Sequence, residues 1–152
     1  MDYRKMNDVY YVRIDKGEEI ISELLEVCRK ENIRSAVFTG IGGFGHAELQ
    51  TFVPEKGTFD TETIDGMLEL ISITGNIVSD NGRLFCHAHA MFSYKEGAEH
   101  KTAAGHMKAA TVLYTAEVEL RPVIGGVIGR KYDPVTGTAF WYFSPDQEDT
   151  GM

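Results

Sequence analysis

Two of the chain's five histidines, His87 and His89, stand two positions apart within an apolar, strand-like run over residues 84–92. Along a β-strand, residues two apart point to the same face, with their side chains about 7 Å apart. Two imidazoles at that separation can converge on one metal ion, at about 2.0–2.1 Å from each nitrogen. The spacing therefore predicts a pair of metal ligands. The alternative is an exposed strand face that carries two imidazoles without a metal.

A third ligand has to come from elsewhere in the chain, and His106 is the best candidate. A polar loop predicted over residues 95–103 gives the chain room to return beside the histidine pair. Three neutral nitrogen donors suit zinc, and also nickel, cobalt, copper or ferrous iron. They leave a fourth position open, which is typical of catalytic rather than structural zinc. His46 and His100 are predicted to be surface residues.

The glycine-rich segment from Gly40 to Gly45 follows a predicted strand and invites comparison with phosphate-binding loops. Its glycines do not fit the G-x-G-x-x-G spacing, and no Lys-Ser or Lys-Thr pair follows. Residues 46–52 are predicted as a strand, so no helix N-terminus is available there to bind an anion. We therefore expect a tight connection between two strands, built from residues that tolerate positive φ.

The composition is that of an ordinary globular protein, with 43% apolar and 25% charged residues among 152. The net charge of −8 should repel a nucleic-acid backbone over most of the surface. Cys28 and Cys86 form no C-x-x-C motif and are predicted to be core residues, which favours a reducing, cytoplasmic setting. No secretory signal or membrane span is recognised, so we expect a soluble protein without a membrane partner.

The hydrophobic pattern predicts one helix and many antiparallel strands. A one-sided apolar stripe predicts the helix over residues 18–32. Asp65-Gly66 and Asn81-Gly82 predict two-residue hairpin turns. Strands are predicted at 10–14, 35–39, 47–53, 58–64, 67–78, 83–94, 113–121, 126–132 and 139–143. The result is a single α+β domain over residues 1–152, with a core over about 10–143 and an acidic tail at 145–152.

Six short blocks occur in a fixed order along the chain: Arg13-x3-Gly17-Glu18-Glu19-Ile20, Gly40-Ile41-Gly42, Glu69 to Asn76, His87-Ala88-His89, Gly105-His106 and Thr115 to Val118. The ordered set resembles the PPC domain, which is conserved between plants and prokaryotes, in its stand-alone bacterial and archaeal form. The resemblance extends from about residue 10 to about residue 143. No single block is specific to the family, but the order of all six is.

The resemblance implies an α+β fold of strongly bent antiparallel sheets with one main helix packed on them, and assembly into homotrimers. Family members are commonly labelled DNA-binding, a label that derives from plant relatives whose domain follows a separate AT-hook. Neither Gly129-Arg130-Lys131 nor Arg121-Pro122 supplies such a hook here. The chain also has Ala104-Gly105-His106 where the family usually has Gly-Gly-His, which keeps the histidine but could alter the backbone angle.

The family fold is also similar to that of acetolactate decarboxylase, whose zinc is held by an H-x-H pair and a later histidine. The matching positions are His87, His89 and His106, so the resemblance implies zinc, or another divalent transition metal, at these residues. It does not carry over the decarboxylase reaction. Glu69 and Arg13 are charged residues inside blocks that otherwise look like buried strand, and they are candidate catalytic groups. The alternative is a structural ion pair, between them or across a trimer interface.

Three functions stay open at this point. The first is a homotrimeric metal-binding protein that acts with, or regulates, nucleic acid. The second is a zinc-dependent enzyme or sensor for a small 2-oxo or 2-hydroxy acid, whose carbonyl the metal would polarise. The third is an assembly role, in which the histidines only stabilise the trimer.

Overall fold

Residues 1–143 are described by the computed structural model, which folds them into eight β-strands and one α-helix. In chain order the elements are β1 (Asp2–Met6), β2 (Val9–Asp15), α1 (Ile20–Lys30), β3 (Ala36–Val53), β4 (Thr58–Asp80), β5 (Arg83–Glu96), β6 (Glu99–Pro122), β7 (Gly129–Asp133) and β8 (Thr138–Tyr142). The acidic tail predicted at 145–152 lies outside the described residues. Within residues 1–143, no helix is long and apolar enough to cross a membrane.

The predicted α+β class, with a main helix packed on the sheets, is wrong. Strands take up 71% of the described residues and helix only 8%, because α1 is just 11 residues long. The central strands β3 to β6 contain 18, 23, 14 and 24 residues. They are longer than predicted because segments expected to be turns or loops continue the sheet. The fold is a bent, mainly antiparallel sheet that carries one short helix.

All eight strands belong to one sheet, whose long strands bend enough for the pairings to close on themselves. β3 pairs with β4 and β6, and β5 pairs with the same two strands, always antiparallel. β1 and β2 extend the sheet beyond β6. The β7–β8 hairpin joins the end of β4 through a parallel bridge between Ser79 and Gly129. β5 and β6 therefore lie side by side, with the hairpin attached to the neighbouring β4.

The glycine-rich segment does not connect two strands, contrary to the prediction, but lies inside β3. Its glycines do not have positive φ; they allow β6 to approach closely. A Cβ at Gly40 would lie 2.7 Å from the carbonyl oxygen of Glu117, and one at Gly42 would lie 2.6 Å from that of Thr115. The pairing with β4 shifts register between the two glycines, which produces a bulge in the strand.

One of the two predicted hairpin turns is confirmed. Asn81-Gly82 joins β4 to β5, and its residues have φ values of 49° and 80°, as such a turn requires. Asp65-Gly66 instead lies within β4, where Gly66 has a φ of 123°. The loop predicted over residues 95–103 is also wrong, because β5 and β6 pair up to a turn formed by Gly97 and Ala98 alone.

The predicted helix is confirmed, with Ile20–Lys30 as its observed bounds. Its inner face, fully buried against the sheet, consists of Ile20, Leu24, Val27 and Cys28. Cys86 is half-buried and packs against the same core, so both cysteines are core residues, as predicted. Burial raises the pKa of each thiol to about 12, which keeps both protonated at neutral pH.

Glu19 caps the start of α1 and attaches it to β6. Its carboxylate accepts hydrogen bonds from the backbone N–H groups of Ile21 (3.1 Å), Ser22 (2.8 Å) and Ala110 (3.2 Å). Because truncation leaves these groups without their acceptor, Glu19→Ala should lower the free energy of unfolding by about 1–2 kcal/mol. Urea unfolding measures the loss. Glu23→Ala, in the same helical turn, is the control, and equal losses in both variants would contradict the capping role.

Candidate metal centre

Three histidines meet on one face of the sheet, where β5 pairs with β6. His89 and His106 are directly opposite each other in this pairing, and His87 lies two residues earlier on β5. Directly opposed side chains in an antiparallel pair have Cβ atoms about 4.5–5.5 Å apart, so the register alone brings two imidazoles together. Strand alternation turns His87 to the same face, while Ala88 and Ala90 point into the core. We call these three residues the histidine cluster.

The histidine cluster fits a metal ion by donor type and by spacing. One ligand nitrogen from each imidazole lies within 4.8 Å of the other two, and the ring centroids are 5.0, 5.2 and 5.6 Å apart. Nitrogens at about 2.0–2.1 Å from a tetrahedral zinc are roughly 3.4 Å from one another. Small rotations of the rings therefore suffice to complete the arrangement, and a fourth position is left for a ligand from outside the protein.

A cavity of about 510 Å³ opens beside the histidine cluster and gives a ligand access to it. Aromatic side chains form part of its wall, and the Phe59 ring lies 5.8 Å from that of His106. Phe85 lines another side, with the guanidinium of Arg130 stacked 3.7 Å from its ring centroid. Within residues 1–143, the site is therefore a cleft with partly apolar walls, three potential ligands and one adjacent cation.

Electrostatics favour the neutral form of two of the imidazoles. The cleft walls partly desolvate the rings and thereby lower the pKa of His87 and His106 from the ordinary value of 6.5, although His87 still reaches solvent. Positive charge on the neighbouring histidines and on Arg130 acts in the same direction. The neutral imidazole is the form that binds a metal, so both shifts favour ligation at neutral pH.

The other two histidines lie outside the histidine cluster. His100 is exposed near the β5–β6 turn, as predicted. His46 is half-buried rather than fully exposed, and its Nδ1 lies 2.7 Å from a carboxylate oxygen of Asp65. This contact, assisted by Glu48, raises the pKa of His46.

Proton binding should separate these histidines in the metal-free protein. We expect His46 to titrate above 6.5, and His87 and His106 below it. The proton on His46 stabilises the fold below pH 6.5, and this contribution is lost as the pH rises through the folded-state pKa. His87 and His106 have the opposite effect on stability. Their pKa values are lower in the folded than in the unfolded chain, so the unfolded chain takes up protons first as the pH falls and the fold loses stability. NMR spectra of the imidazoles recorded from about pH 5 to pH 8 measure the order in which these histidines titrate. A higher pKa for His106 than for His46 would contradict the prediction.

Glu69 and Arg13, the two charged candidates, are placed away from the histidine cluster. Glu69 lies between two buried leucines but points to the exposed face of β4, beside Ser93 rather than His89 of β5. Arg13 is exposed on β2, where its guanidinium donates to Asp15 at 2.8 Å. Each lines a groove that does not include the histidines. Within residues 1–143 the two do not form an ion pair with each other.

The departure from the family pattern at position 104 leaves the histidine cluster intact. Ala104 lies in regular strand, opposite Met91, and does not have positive φ, so glycine is not required there. Gly105 is required, because a Cβ would lie 2.9 Å from the carbonyl oxygen of Gln50. His106 therefore keeps its position beside His89.

Sequence reasoning assigns no role to Arg130 or Trp141 at this site, yet both line cavities that reach the histidines. Both belong to the β7–β8 hairpin, and their place is determined by its docking on β4. No local motif signals that docking. The weak signal available is a cationic and aromatic pair of strands in the segment that follows the last family block.

The fold and the histidine cluster together define a β-sheet domain with a candidate transition-metal centre. A family model described as the Plants and Prokaryotes Conserved (PCC) domain matches residues 1–124. The chain belongs to this family, as the ordered sequence blocks predict. Among proteins with curated functional descriptions, no relative matches the chain.

Several solved structures share the fold over almost their whole length. A proposed DNA-binding protein from Bacteroides thetaiotaomicron is 28% identical, with a TM-score of 0.85 over 93% of this chain and 96% of that chain. A plant- and prokaryote-conserved (PPC) protein from Pyrococcus horikoshii is 30% identical, with a TM-score of 0.79 over 94% of each chain. A metal-containing protein from Archaeoglobus fulgidus is 24% identical, with a TM-score of 0.81 over 94% and 99%, a likeness of fold alone.

The expected relation to acetolactate decarboxylase is confirmed at the level of the fold. A Staphylococcus aureus protein described as similar to alpha-acetolactate decarboxylase has a TM-score of 0.50 and 15% identity. The match covers 80% of this chain and 54% of that chain. Similarity at this distance does not extend an enzymatic reaction to the present protein.

Proposed function

We propose that this protein binds a divalent transition metal, zinc first, through His87, His89 and His106, and presents it to a small ligand in the adjoining cavity. The observation that carries the proposal is the convergence of three imidazoles from two paired strands, with ligand nitrogens within 4.8 Å of one another. A protein of the same fold from Archaeoglobus fulgidus is described as metal-containing. Three protein ligands suit a metal that exchanges its fourth ligand, as an enzyme or a sensor needs.

The chain's own residues set the conditions for that ligand. Zinc, when bound, would act as a Lewis acid on a ligand oxygen. Three neutral imidazoles leave the charge of the ion uncompensated, so an anionic oxygen donor is favoured. Phe59 and Phe85 make part of the cavity wall apolar, and electrostatic interactions are stronger next to apolar groups than in bulk water.

We include assembly into a homotrimer in the proposal, with the sheet face around Ile41, Ile71 and Tyr114 as the subunit contact. These side chains are 57%, 48% and 66% exposed and form an apolar surface that a partner subunit would cover. Glu69 lines a groove in this apolar surface together with the three side chains, which favours a role for Glu69 in the subunit interface. Because this face is separate from the histidine cluster, the oligomer should persist when a chelator removes the metal. Dissociation in sedimentation experiments would support the assembly role of the histidines instead.

DNA binding is a second candidate, since the Bacteroides thetaiotaomicron relative is described as a proposed DNA-binding protein. The charges of this chain weigh against it. Its net charge is −8, and Arg13, Lys108 and Arg121 are held by carboxylates at 2.8, 2.7 and 2.7 Å. We expect no retardation of AT-rich duplex in a gel at low salt, where electrostatic affinity is greatest. Retardation that weakens as salt is added would restore the DNA-binding role.

Cobalt substitution tests the metal proposal on the whole protein. The chain is stripped of metal with a chelator and titrated with Co²⁺, whose visible absorption reports its coordination number. We expect saturation at one ion per chain with the strong absorption of a four-coordinate site, and displacement of the cobalt by Zn²⁺. Weak absorption without saturation would contradict the proposal.

A further inference from the structure

The β7–β8 hairpin places an arginine beside the histidine cluster. The family match ends at residue 124, before this hairpin begins. The hairpin docks on β4: the N–H of Ser79 donates to the carbonyl of Ile128 at 3.1 Å, and the indole N–H of Trp141 donates to Asn76 Oδ1 at 3.2 Å. The docked hairpin puts Arg130 on the wall of the cavity that contains all three histidines.

Among residues 1–143, Arg130 is held in place by contacts that leave its hydrogen-bonding groups unsaturated. Its guanidinium lies 3.7 Å from the ring centroid of Phe85, and 25% of the side chain is exposed. Asp80 is 3.6 Å from Nη1, which is too long for a hydrogen bond. Stacking therefore fixes the plane of the guanidinium, and no hydrogen bond from the part of the chain that the structure describes occupies its N–H groups. Arg13 and Arg121 differ, because hydrogen bonds to carboxylates occupy their guanidinium groups.

The charge of the cavity favours an anionic ligand. A divalent metal on three neutral imidazoles and the adjacent guanidinium together present three positive charges, which Asp80 offsets only in part. The chain as a whole is acidic, with a net charge of −8. The cavity is therefore a local positive site on a protein that otherwise repels anions.

We infer that the ligand of this centre is a small carboxylic acid, whose carboxylate is bound by Arg130 while a neighbouring oxygen of the same molecule binds the metal. The inference rests on the metal-binding function proposed above. A guanidinium matches a carboxylate through two parallel hydrogen bonds, and 2-oxo or 2-hydroxy acids carry the second oxygen. A volume of about 510 Å³ admits acids of a few carbons. A guanidinium pairs with phosphate in the same way, so inorganic phosphate is the competing ligand that the test has to include.

Titration calorimetry of the zinc-loaded protein with lactate, pyruvate and oxalate tests the inference. The proteins compared are the wild type, Arg130→Gln and Lys131→Gln. Lys131 is the next residue of β7, is exposed and has its ammonium group 5.2 Å from the Tyr142 ring centroid. This control removes the same charge from the same strand but not from the cavity. Zinc content is measured first in every protein.

We expect the wild type and Lys131→Gln to bind the acids equally, and Arg130→Gln to bind them about 10- to 100-fold more weakly at unchanged zinc content. Equal affinity in the wild type and Arg130→Gln would overturn the inference, and so would an equal loss in both variants. Absence of acid binding to zinc-loaded wild type, or tighter binding of inorganic phosphate, would overturn it as well. Each of these results leaves the zinc site standing, whereas a wild-type protein that holds no zinc refutes the metal-binding function itself.

Discussion

Alanine at position 89 should remove the metal from the protein. His89 is directly paired with His106 and shares its strand face with His87, so His89→Ala leaves two imidazoles on different strands. Loss of a contact that only supports a ligand costs about 10- to 100-fold in metal affinity, and loss of the ligand itself should cost more. Elemental analysis of the purified variant should therefore find a small fraction of the wild-type zinc content.

The same substitution should remove the stability that zinc confers. Zinc at 100 times its dissociation constant stabilises a folded protein by about 2.7 kcal/mol. His89 is exposed, so its truncation should by itself change the free energy of unfolding by no more than about 0.5 kcal/mol. Thermal scans should show the metal-free wild type and His89→Ala melting together, and separating only when zinc is added.

His100→Ala is the matched control for His89→Ala. It makes the same chemical change at an exposed histidine of β6, close to the β5–β6 turn and outside the cluster. This variant should keep its zinc and its full thermal shift. Zinc loss from His100→Ala, or full zinc content in His89→Ala, would contradict the assignment of the site.

Two of the three predicted ligands could be derived from the sequence because their relation is local. Any regular strand places His87 and His89 on one face. The position of His106 depends on the pairing of β5 with β6, which the hydrophobic pattern does not reveal. His89 and His106 are equally distant from the turn at Gly97-Ala98. Recognising that turn instead of a long loop would therefore have predicted their contact.

Several errors in the predicted fold arise because glycines predicted as turn residues lie within strands. Local rules treat Gly40 and Gly42 as turn residues, but here they let two strands approach closely, a requirement that comes from distant residues of β6. Gly66 has the positive φ expected of a turn and still continues β4. The successful prediction at Asn81-Gly82 differs because both residues have positive φ, which reverses the chain.

Arg130 shows the limit of prediction from spacing. Its contact with Phe85 and its place beside the histidines follow from the docking of a hairpin on β4, not from any periodic pattern. The segment Gly129-Arg130-Lys131 could only be compared with a minor-groove hook. A single cationic residue that lies beside a site formed by other strands belongs to no sequence motif, so rules based on local sequence cannot predict its position.

Gly75→Ala should cause a large loss of stability in this sheet. Gly75 of β4 lies between Phe38 of β3 and Ala88 of β5. A Cβ there would be 2.4 Å from Phe38 Cζ and 2.6 Å from the carbonyl oxygen of His87. The Phe38 ring is buried and the second contact is backbone, so the methyl group can be accommodated only by displacing β5. We expect a loss of about 2–3 kcal/mol in urea unfolding at fixed protein concentration.

The double variant Gly75→Ala with Phe38→Leu separates the two contacts. Leucine removes the clash with the aromatic ring but leaves the one with the His87 carbonyl, so stability should recover only in part. Zinc affinity should be reduced in Gly75→Ala and in the double variant alike, because the displaced carbonyl belongs to His87, a proposed metal ligand. Gly126→Ala is the control: its Cβ would meet nothing within 4 Å and its φ is not positive, so it should cost no more than about 0.5 kcal/mol. Full recovery of both stability and zinc affinity would show that the Phe38 ring alone requires glycine at position 75.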